Sequence, residues 1–374
     1  MANKGKSAGS LLAVERGTWS RLWRKISKDQ IAFLAFLTLI VLYLMIAVAG
    51  FLAPYSEGWF DRNYATAPPT HVYMIDGETG GITWPYVYQS KRGFDQETFE
   101  FGFTPDTSKK HPVQFFVKGE PYKLLGLIPG DIHLFGVEAP GRICLLGTDI
   151  NGRDNFSRLL YGGQISLTIG FLGLFIAFPI GLIYGGISGY FGGWIDNALM
   201  RVTEVIMSIP SLYLLISLAA IIPAGFTSAQ RFAMVVVSLA FIGWAGLSRV
   251  IRGMVLTIKE QEYVESARAI GLGALPIVIK HVLPQTASYV IIAITMGVPD
   301  YILAESGLSF LGLGIQQPDA SWGNMLKEAQ EITNLMTRPW MMMPGVLIFL
   351  AVLAFNVMGD AVRDVLDPKS YIRK

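Results

Sequence analysis

The chain has 374 residues, 52% of them hydrophobic and only 16% charged, and a mean hydropathy of +0.44, which excludes an ordinary soluble domain and places it in a membrane. A net charge of +2 with no basic stripe argues against nucleic acid as a partner. Cys144 is the only cysteine, so an internal disulfide and any cysteine-based metal or iron–sulfur site are excluded.

Residues 1–29 carry Lys4, Lys6, Arg16, Arg21, Arg24, Lys25 and Lys28 against only Glu15 and Asp29, which predicts a cytoplasmic segment by the positive-inside rule. An amphipathic interfacial helix is expected around Trp19 to Ile26. Ile31 to Tyr55 has no charge, exceeds the roughly 20 residues that span a bilayer, and is too long for a cleaved signal. It is read as a retained first span, running outward.

From about Ser56 to Gly147 the chain is polar, aromatic and turn-rich, with Pro68-Pro69, Gly80-Gly81 and the alternating piece Val113 to Val117. Strands and turns are expected there, and the length predicts a small, mostly β, extracytoplasmic subdomain. His71, His111 and His133 all fall in it without metal-site spacing, and are read as surface or locally bonded histidines.

Leu146 to Gly162 reads Leu-Gly-Thr-Asp-Ile-Asn-Gly-Arg-Asp-Asn-Phe-Ser-Arg-Leu-Leu-Tyr-Gly. Asp149, Asn151 and Asp154 lie around Gly152, but Arg153 stands where a calcium loop needs an oxygen ligand. The preferred reading is a turn capping an amphipathic helix, Asp154 to Tyr161, on the outer membrane surface. This motif resembles the signature before the second span in the C-type permeases of oligopeptide and dipeptide ABC importers.

Leu159 to Ile195 is uncharged and predicts the second span, with Gly181, Gly185, Gly189 and Gly193 forming a face that another backbone approaches closely. The third span is read as Val205 to about Pro223, kinked near Pro210, and the fourth as Phe232 to Ser248, anchored by Arg249 and Arg252. The fifth runs from near Thr286 to about Leu308 and contains Asp300 and Glu305, functional candidates because carboxylates facing lipid are costly. A structural role near the outer interface is favoured for Glu305; for Asp300 a water-lined path and a snorkelling surface group both stand. Pro339 to Gly359 is the sixth span.

Between the fourth and fifth spans lies the charged, amphipathic stretch Lys259 to Gln285. Its spacing predicts a short helix from about Glu260 to Ile270 with Tyr263, Ala267 and Ile270 on one face, ended by Gly271 and Gly273. Pro276 suits the first turn of a second helix, and Pro284 marks its stop or kink. Glu265-Ser266-Ala267, Gly271 three residues past Arg268, and His281 before Val282-Leu283-Pro284 resemble the Glu-Ala-Ala loop of ABC importer permeases in its peptide-importer form, with Ser266 in place of the usual alanine. Glu305 to Gly314 and Gln316 to Leu326 are also similar to that family. The resemblance covers the first span and Leu146 to Pro368, but not the segment from about Ser56 to Leu145.

The resemblance implies an all-α polytopic membrane protein with six transmembrane helices in the ABC importer permease fold, plus the β insertion. The expected segments are 1–29 cytoplasmic, 30–55 first helix, 56–147 insertion, 148–368 permease core with coupling loop 259–285, and 369–374 tail. It implies a transport subunit in a bacterial or archaeal inner membrane, both termini cytoplasmic, paired with a second permease, two ATP-binding cassette subunits and an extracytoplasmic binding protein. Tyr263 and Ala267 would form an apolar docking face, with Glu265 and Arg268 pairing with ATPase charges. The chain has no phosphate-binding loop and no catalytic constellation, so ATP hydrolysis is assigned to partner subunits, and no cofactor or metal is expected. An ion-coupled secondary carrier is the alternative, resting on Asp300 and Glu305 alone; a receptor would leave 259–285 unexplained.

Overall fold

The computed structural model describes residues 17, 19–76, 80–94, 101–124, 126–223 and 225–366. Residues 1–16 and the tail expected at 369–374 lie outside the described residues. The helices are α1 (Gln30–Ala47), α2 (Ala49–Leu52), α3 (Asn155–Phe191), α4 (Gly193–Ser208), α5 (Ser211–Ala220), α6 (Ser228–Ile258), α7 (Glu262–Ala269), α8 (Ala274–Ile277), α9 (Ala287–Phe310), α10 (Trp322–Ala329), α11 (Ile332–Thr337) and α12 (Met343–Leu366). Strands β1 (Val72–Ile75), β2 (Ile82–Phe94) and β3 (Phe101–Pro112) form one antiparallel sheet, and β4 (Gln114–Leu124) and β5 (Ile128–Gly136) a second. Among the described residues five helices are long and apolar enough to cross a membrane, or six if α4 and α5 form one broken span.

Several sequence expectations change. The helix expected over Asp154 to Tyr161 is not a separate surface helix: Asn155 to Tyr161 is the start of α3, preceded by Asp154, with Ser157, Arg158, Leu159 and Leu160 buried. No residue there breaks the 3.6-residue repeat, and small residues at Gly162 and Gly163 bring neighbours close enough to bury it. The helix expected as the third span is interrupted rather than kinked: α4 and α5 meet at 83° across Ile209 and Pro210. Proline removes the N–H that would continue α4 and pushes the preceding residue to extended backbone, and Ile209 has φ −89°, ψ 125°. The fourth and sixth spans run on to Ile258 and Leu366.

The chain folds as two compact units. The first comprises Met1–Ile40, Ile169–Ala304 and Leu350–Lys374. Its helices pack through glycine. A Cβ on Gly185 would collide with the Ser248 carbonyl, and one on Gly189 would lie 2.7 Å from the Arg252 carbonyl oxygen. Gly181 touches Trp244 and Leu247 in the same way, so three of the four expected glycines form the contact of α3 with α6. Gly193 has open space and φ +54°, and serves the turn into α4 instead. Tyr301 of α9 is seated between Gly173 of α3 and Gly243 of α6. Helical residues 19–28 leave Trp19 and Trp23 exposed and bury Ile26, and Lys25 pairs with Asp364 at 2.9 Å.

The second unit comprises Val41–Thr168 and Glu305–Phe349. It holds the expected β insertion, whose β4–β5 hairpin packs on α2. His133 is buried there, its ring nitrogens 2.5 Å from the Ala53 carbonyl oxygen and 3.0 Å from that of Glu120, and His111 is buried as well. The 146–162 motif is a buried polar hub. Asp149 accepts from the N–H groups of Asn151 and Arg153 at 2.8 and 2.9 Å, and from Arg153 Nε at 2.6 Å. Arg153 donates onward to Glu328 at 2.8 Å, and Arg158 to the Pro318 carbonyl at 3.0 Å. Asp154 caps α3 by accepting from the Ser157 N–H and hydroxyl at 2.8 and 2.6 Å. Trp322 is buried against Gly163 and donates its indole N–H to the Leu159 carbonyl at 3.0 Å.

Two outcomes are expected. Gly185→Leu forces α3 away from α6, so the melting temperature in detergent falls by several °C, as expected for about 2 kcal/mol of overpacking; Gly193→Ala, in open space, lowers it by less. Burial pushes Asp154 from 3.8 up to about 6, against the pull of its Ser157 hydrogen bonds. Its raised value favours the fold below the unfolded value and loses that contribution as pH rises through the folded one. Asp154→Asn keeps a capping oxygen and removes the buried charge, so its melting temperature exceeds that of the parent at pH 7.5, and the difference shrinks as the pH is lowered towards 4.

Candidate functional site

Helix α7 is eight residues long, with Glu262 and Glu265 in its first turn and Arg268 in its last, an arrangement that suits the helix dipole. It buries Val264 and Ala267 and leaves Glu262, Tyr263, Glu265, Ser266, Arg268 and Ile270 exposed. Of the expected apolar face, Tyr263 and Ile270 are exposed, at 42% and 78%, whereas Ala267 turns inward with Val264 as a buried pair at i, i+3. The helix closes with a Schellman turn. Leu272 N–H donates to the Ala267 carbonyl at 3.2 Å and Gly271 N–H to that of Arg268 at 2.9 Å, with Gly271 at φ +84°.

Past Gly273 the chain re-enters helix with Pro276 in the first turn of α8. Pro284 does not end it. Val278–Val282 widens into a π turn and Leu283–Thr286 tightens into a 3₁₀ turn before α9 begins at Ala287. A proline clashes with the carbonyl four residues earlier, and the widened turn before Pro284 removes that clash while the helical path continues. Ile277, Val278 and Val282 are buried, His281 and Leu283 are half-buried, and Leu283 rests on Gly186 of α3.

The stretch is braced by pairings that sequence reading did not single out. Arg268 lies over the Tyr190 ring at 5.1 Å and its Nε donates to the Tyr190 hydroxyl at 3.3 Å. Arg252 grips buried Asp196 with two parallel bonds, Nε to Oδ1 at 3.0 Å and Nη2 to Oδ2 at 2.5 Å, and Ser188 donates to Oδ1 at 2.5 Å. Asp196 and Arg252 are 56 positions apart, which hid the clasp; the signal was two opposite charges at the ends of adjacent spans.

Asp300 and Glu305 occupy different environments on α9. Glu305 is fully buried: Ser309 donates to it at 2.6 Å and Ser166 at 3.1 Å, with Ser306 at 3.5 Å. Asp300 is exposed.

The structure is thus that of a polytopic helical membrane protein with a charged, braced helix–glycine–helix projection between two spans. Residues 177–370 match the profile described as "Binding-protein-dependent transport system inner membrane component", and residues 17–69 match "N-terminal TM domain of oligopeptide transport permease C". The chain is 43% identical to the dipeptide transport system permease protein DppC of Bacillus subtilis over 225 residues, 60% of this chain and 68% of that one. It is 39% identical over 224 residues both to the oligopeptide transport system permease protein OppC of Haemophilus influenzae, covering 60% of this chain and 70% of the relative, and to the glutathione transport system permease protein GsiD of Escherichia coli, covering 60% and 71%. The chain belongs to the family of binding-protein-dependent transport permeases, the multi-pass inner-membrane subunits of ABC importers. It is a transport subunit and not an enzyme; hydrolysis of ATP takes place on partner ATPases, and the ion-coupled carrier is set aside.

Because Gly271 sits in open space at positive φ, side-chain type there reads backbone strain alone. Gly271→Asn is expected to be nearly neutral, and Gly271→Val to cost about 1–2 kcal/mol locally, seen as faster amide exchange across α7 with the global melting temperature little changed.

Proposed function

We propose that this permease carries peptides or related small solutes, and that residues 259–285 are the surface through which its ATPase drives it. The relatives' names, for dipeptide, oligopeptide and glutathione transport, support the substrate class. One observation carries the coupling role: α7 is held by buried Val264 and Ala267 so that Glu262, Glu265 and Ile270 are exposed on a charged helix between two long apolar ones. Such a short helix is unstable by itself and is retained here through its packing and the Gly271 turn.

The proposed complex contains a second homologous permease, two ATP-binding cassette subunits and an extracytoplasmic binding protein. Both termini and the 259–285 stretch face the cytoplasm, and the β insertion lies outside, where it meets the binding protein. Closure of the ATPases moves α7 as a lever; the motion passes through Arg268 to Tyr190 on α3, and through the continuous α8–α9 path into the membrane. Glu265, Ser266 and Tyr263 make the contact, Arg268 transmits it, and Ala267, Gly271, His281, Leu283 and Pro284 shape the support. Glu305 is a structural carboxylate, which leaves Asp300 as the path residue.

In the assembled complex, Glu265→Lys is expected to leave insertion intact and ATP hydrolysis present while ATP-driven uptake falls roughly 30-fold or more, the scale of a broken interfacial charge pair. Unchanged uptake would refute the docking role.

A further inference from the structure

Asp300 is the only acidic residue exposed along α9, and no ion-pair or hydrogen-bond partner is found for it among the described residues. Asn356, on α12, is also exposed and without a partner among them. Each is the fourteenth residue of a 24-residue helix.

Two contacts put them at one depth. Met296 of α9 rests on Gly359 of α12, where an added Cβ would lie 2.8 Å from its Cγ. Four residues further along α9, about 6 Å at 1.5 Å per residue, comes Asp300. Independently, Phe171 of α3 packs edge-on against Phe355 at 6.1 Å, and its neighbours Gly170 and Gly173 touch Val298 and Tyr301. Phe355 therefore lies level with 298–301, α12 runs antiparallel to α9, and Asn356 is level with Asp300. Asp300 is about 40° from Met296 around α9, and Asn356 about 60° from Gly359 around α12, at 100° per residue. The two polar groups thus flank one seam.

A carboxylate and a carboxamide left bare at mid-span are costly against lipid and useful against a polar solute. We propose that Asp300 and Asn356 form a binding station in the translocation path, where the carboxylate holds the ammonium group of the passing solute and the carboxamide pairs with its adjoining amide. This rests on the importer reading above, and narrows the transported class to solutes carrying a free amino group.

The test uses the full importer complex in membrane vesicles, with Cys144→Ser removing the buried native thiol and Asn356→Cys placing one beside Asp300. Two methanethiosulfonate probes of similar size are compared, a trimethylammonium form and a sulfonate form, with and without ATP. The station predicts labelling by the cationic probe about tenfold or more faster than by the anionic one, as a focused negative field requires, with the ratio collapsing towards one when Asp300→Asn is added. Labelling by neither probe with or without ATP, as would follow if lipid or a cation of the partner permease sealed the seam, overturns the proposal; so does equal labelling while Asp300 is present. Uptake by the unlabelled Asn356→Cys complex is measured in parallel: ATP-driven uptake beside a failed labelling pattern removes the station and leaves the importer reading, whereas no ATP-dependent uptake in the parent complex removes the reading itself.

Discussion

Close backbone approach between α3 and α6 is the contact on which the membrane-embedded unit depends. Lipid tails offer no hydrophobic drive for helices to associate, so packing and internal hydrogen bonds must hold them. Gly181, Gly185 and Gly189 let α3 reach the backbone of α6 at Trp244, Ser248 and Arg252. That approach brings Arg252 within reach of Asp196 and Ser188, and the resulting charge-assisted clasp ties α4 to the same corner. Tyr301, wedged between Gly173 and Gly243, adds α9 to the group by the same means.

The second unit solves a different problem with the same economy of partners. Its buried charges are not isolated: Asp149, Arg153, Arg158 and Glu328 neutralise one another in a chain, and backbone groups of the 146–162 turn and of Pro318 take up further bonds. Removing any one member would leave a buried ion uncompensated, which is far more costly than the pair is favourable. Glu305 is accommodated by hydroxyls rather than by a cation. Serines supply donors without adding bulk, so α3, α9 and the segment before α10 can converge on one carboxylate.

Against these two packed arrangements, α7 and α8 stand out as short elements with few buried side chains. Their shape depends on a Schellman turn at Gly271 and on the π and 3₁₀ turns that carry the chain past Pro284. Ile277, Val278 and Val282 are buried where the chain runs on from α8 towards α9, whereas Glu262, Glu265 and Ile270 at α7 are exposed.

Hydrophobic run length, charge placement and glycine spacing are local properties, and they were enough to read the membrane class, the β insertion and the helix–glycine–helix stretch, together with its family resemblance. Gly271 was readable as a turn because only its conformation matters there. What the linear pattern left undecided was which face of each element turns inward. Ala267 and Tyr263 are both compatible with an apolar stripe, and the neighbours that bury one and expose the other come from distant parts of the chain. The same holds for Pro210, where a kink and an 83° break look alike in sequence, and for Glu305 and Asp300, two carboxylates on one helix. Burial of the first among serines and exposure of the second depend on helices brought together from far apart in the chain, and only the tertiary structure decides that.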